Sequence, residues 1–267
     1  MAMVARRENC AKPIPTEEIV STAPQSFAHH HKWDRNFFLA FAAISWIAIV
    51  MGFGPELHGH LKGLTPYPPL IVHFHVAAFG GWMILFTAQI LLIRSRRLNI
   101  HRKLGLIALA LVPIMVVLGV ATSLVSRRLH FEAGQNDMLT YMIVPLTDMV
   151  LFPSFAVPGL LLRRDTERHK RLILLATATL LPAAFGRWIG PWLLIRFGDG
   201  FLGFMAQSYL GPDAMILAAM LYDRATTGRV HTIYYLAVSW MLAVQAITSA
   251  IYHWSGWMLL AQRMIGH

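Results

Sequence analysis

Aliphatic runs of about 20 residues recur along the chain, each long enough to cross a hydrocarbon core of about 30 Å as a helix. A soluble domain carries about 25% charged residues, whereas this chain of 267 residues is 13% charged and 56% hydrophobic. A polytopic membrane protein follows, and a simple globular enzyme is excluded. The formal charge of +10 does not signify nucleic acid, because the basic residues sit between the apolar runs and not in a folded basic domain with interleaved aromatics. The single cysteine, Cys10, offers neither a disulfide nor a cysteine metal site, so any ligation falls to histidine.

Apolar length and interruption predict seven spans, at 37–53, 70–93, 104–125, 139–162, 172–197, 201–222 and 232–252. The expected architecture is an all-α seven-helix transmembrane bundle over 37–253. A flexible polar cytoplasmic segment, 1–36, precedes it and an interfacial tail, 254–267, follows it. Residues 1–36 carry Arg6 and Arg7 without an apolar core, unlike a cleavable signal peptide. With the N-terminus inside, 17 of the 23 Lys and Arg residues fall on the inner side and 6 on the outer, which by the positive-inside rule predicts N-in and C-out. Trp188, Trp192, Trp254 and Trp257 then mark the outer interface. Integral membrane localisation, in a bacterial inner membrane, is the expectation.

Ionisable residues within spans are the informative ones, since each costs about 2.5–3.5 kcal/mol at a span centre unless paired or hydrated. Asp148, Arg187 and Asp213 fall at overlapping depths and form a candidate buried charge network, in which Arg187 pairs with one carboxylate and leaves the other to carry a proton or bind a metal. Asp213 follows Pro212, so a kink is expected beside it. A packing ion pair is the alternative reading of the same residues.

Histidine provides two further groups. On the outer side, the expected loop ELHGHLKG brings Glu56, His58 and His60 together as candidate ligands of a divalent transition metal. His73 and His75, two residues apart on a helix, point about 200° apart, and His73 shares its face with Ala77, Gly80 and Gly81, which leave room for a flat cofactor. His73 is therefore the expected buried ligand, with His253 on the same side. At the inner end His101, His169 and His231 each open a span after a basic or polar turn, at intervals of 68 and 62 residues. Nearby arginines suit an anionic headgroup, a quinone or a haem propionate.

The strings HRKLG, HKRLILLATATLL and YDRATTGRVH resemble a widespread group of uncharacterised bacterial membrane proteins over most of 70–252, a likeness that implies no activity. Histidines near both faces are similar in layout to diheme transmembrane b cytochromes and ferric-reductase-like membrane domains. That resemblance implies haem b held by His101 and His169 at the inner side and by His73 and His253 at the outer side. Three functions stay open. The first is b-type haem electron transfer with a quinone or redox partner. The second is a cofactor-free carrier, proton pathway or assembly subunit of a larger membrane complex, built on Asp148, Arg187 and Asp213. The third is a metal-dependent membrane hydrolase or oxygenase. The lipid bilayer is the common partner, and nucleic acid is not one.

Overall fold

The computed structural model describes residues 33–64, 67–135 and 137–266. The segment up to residue 32, with Arg6, Arg7 and Cys10, lies outside them. Among the described residues every regular element is an α-helix: α1 (Asp34–Leu61), α2 (Leu70–Arg94), α3 (Leu98–Gly105), α4 (Ile107–Glu132), α5 (Asp137–Thr140), α6 (Ile143–Leu161), α7 (Thr166–Ala178), α8 (Pro182–Trp188), α9 (Gly190–Phe197), α10 (Phe201–Thr227), α11 (Thr232–His253) and α12 (Trp257–Met264).

Five stretches, Asp34–Leu61, Leu70–Arg94, Leu98–Glu132, Met138–Leu161 and Thr232–His253, are long and apolar enough to cross a membrane. The two other expected spans do not reach that standard, for separate physical reasons. Stretch 172–197 is broken twice, because Pro182 and Pro191 lack an N–H and can only restart a helix in its first turn, as they do in α8 and α9. Helix α10 is continuous over 27 residues but carries Gln207, Ser208, Pro212 and Asp213 in its apolar stretch.

Helix α1 departs from expectation at both ends. It begins at Asp34, within the segment expected to be loose, because the Asp34 carboxylate is held by Lys170 and Tyr222. It runs on to Leu61, through the expected ELHGHLKG loop, and stops only where Gly63 adopts a φ of 66°.

The bundle is organised around α7. Leu172, Leu174, Leu175, Ala176, Thr177 and Ala178 are all buried, so this helix is covered on every side. Helices α6, α10 and α11 pack against it, while α4 bridges α2 and α6, and α1 lies against α2 and α8. A Cβ at Gly52 would run into the backbone carbonyl of Ala184, so this glycine lets α1 and α8 approach closely. The outward faces are apolar: Ile47, Val50, Val76, Ile84, Leu91 and Val117 are exposed, a covering suited to lipid and costly in water. The C-terminal stretch forms α12, whose Trp257 is buried and donates its indole N–H to the Thr140 carbonyl at 2.9 Å.

Candidate functional site

Two buried polar clusters result from this packing. The first lies at the end of the bundle where α1, α7 and α11 begin and α10 finishes. Arg171, 2% exposed, donates from Nε and one terminal nitrogen to the two oxygens of Asp223 at 2.7 and 2.8 Å, and from the other terminal nitrogen to the Glu167 carboxylate at 2.6 Å. The planar guanidinium fork matches this bidentate geometry, which the ammonium of a lysine could not reproduce. Lys170 reaches Asp34 at 3.1 Å and Glu167 at 3.6 Å, and the Tyr222 hydroxyl donates to Asp34 at 2.6 Å. His231 closes the cluster as the N-cap of α11: its Nδ1 accepts the Ile233 N–H at 3.1 Å, and its own backbone N–H donates to Asp223 at 3.3 Å. Burial, and then the Arg171 charge, hold the His231 imidazole below its ordinary pKa of 6.5, which keeps Nδ1 an acceptor.

The second cluster lies within the bundle, between α6, α10, α11 and the interruption that separates α7 from α8. Asp148, Thr179, Tyr209, Asp213 and Gln245 line one small cavity, with room for about one water molecule. Asp148 is 5% exposed, makes no salt bridge among the described residues, and its Oδ1 has no hydrogen-bond partner. Asp213 accepts a hydrogen bond from Gln245 Nε2 at 2.9 Å, which orients the amide and leaves Gln245 Oε1 buried without a partner. Beside them the Thr248 hydroxyl donates to that of Thr147 at 3.0 Å. Local sequence explains the opening: Pro182 forces the α7–α8 break at Thr179–Leu181, and Pro212 removes one hydrogen bond from α10 next to Asp213.

Arg187 is not part of this cluster. It is 44% exposed, stacks over the Phe53 ring at 4.7 Å, donates to the Ala183 carbonyl, and pairs with Glu56 at 3.5 Å. The expected Asp148–Arg187–Asp213 network is thus corrected to two carboxylates without the arginine, because α8 turns this side chain toward α1. Glu56, His58 and His60 are helical, so His58 and His60 diverge by about 200°. Only His60 approaches Glu56, at 3.9 Å, and among the described residues no group of three or more His, Cys, Asp or Glu residues could hold a metal ion.

His73 is exposed, with Nδ1 3.3 Å from the Pro69 carbonyl, whereas His75 is half-buried and stacks on Phe79 at 4.0 Å. The expectation that His73 faces inward is therefore reversed. Trp82, on the His75 side, is buried and donates to Thr177 of α7. Gly80 and Gly81 border open space and not a neighbouring helix. His253 is exposed, with Nδ1 2.8 Å from the Ser249 carbonyl, and it stands on α11, whose packing partners differ from those of α2. His101 and His169 are half-buried at the basic end; His169 Nδ1 lies 2.7 Å from the Gly159 carbonyl, and His101 Nδ1 is buried without a hydrogen-bond partner.

Sequence reading missed the Arg171 cluster. The signal available in the sequence is the i, i+4 spacing of Glu167 and Arg171 and the position of Asp223 just beyond an expected span. Comparison with protein-family models, curated proteins and solved structures finds no match to the chain.

Proposed function

We propose that the chain is a seven-span integral protein of a bacterial inner membrane, N-terminus inside and C-terminus outside, that works as a cofactor-free carrier or ion pathway. Asp148 and Asp213 are its ion-binding groups. In this reading α7, α8 and α9 together make one interrupted crossing and α10 makes another, as irregular backbone at membrane depth is tolerated where it lines a cavity. The observation that carries the reading is the Asp148 carboxylate, buried with no cation beside it among the described residues and facing a cavity that fits about one water molecule. An ionised carboxylate in that position needs compensation, since an uncompensated charge in the interior is strongly destabilising, and a proton or cation in the cavity would supply it. A cavity of this size suits a proton or a small ion and is too small for haem or a quinone.

The experiment is ion flux into proteoliposomes under an imposed gradient, read with a pH-sensitive or cation-sensitive dye. The wild-type chain carries flux and Asp148→Asn abolishes it. Equal flux in both would remove Asp148 from the pathway.

A second reading, one haem between His101 and His169, is favoured by the unpartnered His101 Nδ1. Reduced-minus-oxidised absorption of the purified protein tests it: haem bands that His101→Ala removes would establish it, and a colourless sample would end it.

A further inference from the structure

The central cavity brings together more oxygen acceptors than a proton needs. Asp148 Oδ1 and Gln245 Oε1, on side chains 5% and 2% exposed as residues, are both buried without a hydrogen-bond partner, and both residues line the cavity. The Gln245 amide cannot resolve this by rotating, because its nitrogen already serves Asp213 at 2.9 Å. Two helix interruptions meet at the same place. The carbonyls of Thr179 and Leu180, in the gap between α7 and α8, accept no backbone hydrogen bond among the described residues, and Thr179 lines the cavity. Pro212, also in the lining, leaves the Ser208 carbonyl of α10 without its usual N–H.

A lone proton on one carboxylate would satisfy one acceptor. A metal cation draws several oxygens at once, neutral carbonyls included, and interrupted helices at membrane depth supply such carbonyls. We propose that this cavity binds a small dehydrated monovalent cation of sodium size, held by Asp148, the Gln245 carbonyl oxygen and the backbone freed at the α7–α8 break. The inference rests on the carrier reading above, whose ion it names.

Other ligand classes fit less well. Anions are opposed by two carboxylates with no facing cation among the described residues. Magnesium keeps several waters, for which a cavity with room for about one water molecule has no space. Transition metals favour imidazole and thiolate donors, and the lining holds no His or Cys: its one soft donor is the Met241 thioether, set among oxygens.

The test is thermal unfolding of the purified full-length chain in detergent at fixed pH and ionic strength, with sodium chloride exchanged for choline chloride or potassium chloride. The midpoint is expected to rise with the logarithm of sodium concentration, less with potassium and not with choline. Asp148→Asn and Gln245→Leu should each lose the sodium response, while Glu132→Gln, at an exposed pair with Arg128, should keep it. Should Asp148→Asn fail to fold, Gln245→Leu and the wild-type ion series decide. Equal shifts with sodium and choline would overturn the inference as a general salt effect. An absent sodium response together with Asp148-dependent proton flux in proteoliposomes would also overturn it and leave the carrier reading standing. A sodium response that needs Asp148 and Gln245, without flux of any ion, would uphold the site and defeat the carrier reading.

Discussion

The two buried polar clusters solve the same electrostatic problem in opposite ways. At the basic end, Asp34, Glu167 and Asp223 are each within 3.6 Å of Lys170 or Arg171, and the guanidinium is engaged on both sides. In the central cavity, Asp148 has no such partner among the described residues and Asp213 has only the Gln245 amide. Paired charge joins helices: the basic-end cluster ties α1, α7, α10 and α11 together. An unpaired carboxylate does nothing for stability that an apolar residue could not do better, which is why the carrier reading gives Asp148 a bound proton or cation. On the proposal above, the first cluster is structural and the second functional.

The largest expected effect tests the structural half. Arg171→Met should destabilise the fold by about 3–5 kcal/mol, since it leaves Asp223 and Glu167 buried without their cation. Thermal unfolding in detergent and the yield of folded protein measure it, and a wild-type midpoint would erase the distinction between the clusters. Asp148→Asn should act in the opposite sense. It removes a desolvated charge, so the midpoint stays level or rises in the absence of bound ion while transport is lost. A collapse of stability in this variant as deep as that of Arg171→Met would make Asp148 structural as well.

Much of this contrast was invisible in the sequence, for reasons that can be named. Apolar run length carries the long helices, because hydrophobic extent is a local property, and Pro182 and Pro212 announce the interruptions that open the cavity. The depths of Asp148 and Asp213 could be counted along the chain. Which cation answers which carboxylate could not, because Arg171 meets Asp223 across 52 residues through the relative register of α7 and α10. Periodicity separated His73 from His75 but gave no means of knowing which side faced the bundle, and the small residues beside His73 border open space. ELHGHLKG is expected to be a loop, yet α1 continues through it to Leu61 and is capped at Lys62, before Gly63 turns the chain.

A smaller effect sharpens the account of the basic end. The His231 imidazole is held below its ordinary 6.5 by burial first, so the unfolded chain binds the proton more tightly than the folded one. Its contribution to stability is therefore complete above pH 6.5 and is lost as pH falls through the lower folded value. Protonation also removes the Nδ1 acceptor that caps α11, an interaction worth about 1 kcal/mol. His231→Asn keeps an acceptor at the N-cap and cannot titrate, so its unfolding midpoint should vary less with pH below 6.5 than that of the wild type. Identical pH profiles for the two would place the acid sensitivity elsewhere.

The smallest effect belongs to Arg187, and it bears on the comparison most directly. Depth along the sequence places this arginine beside Asp148 and Asp213, where it would have made the central cluster a paired one. In the structure its pair with Glu56 is about half exposed on both sides, at 44% and 54%, which limits the pair to about 0–1 kcal/mol. Arg187→Gln should therefore leave the unfolding midpoint near that of the wild type and leave ion flux intact. Added salt should reduce what little difference remains. If the substitution instead abolished flux as Asp148→Asn does, Arg187 would be reaching the cavity in another state of the protein. The absence of a cation beside Asp148 would then describe one conformation of a carrier and not the permanent condition of its site.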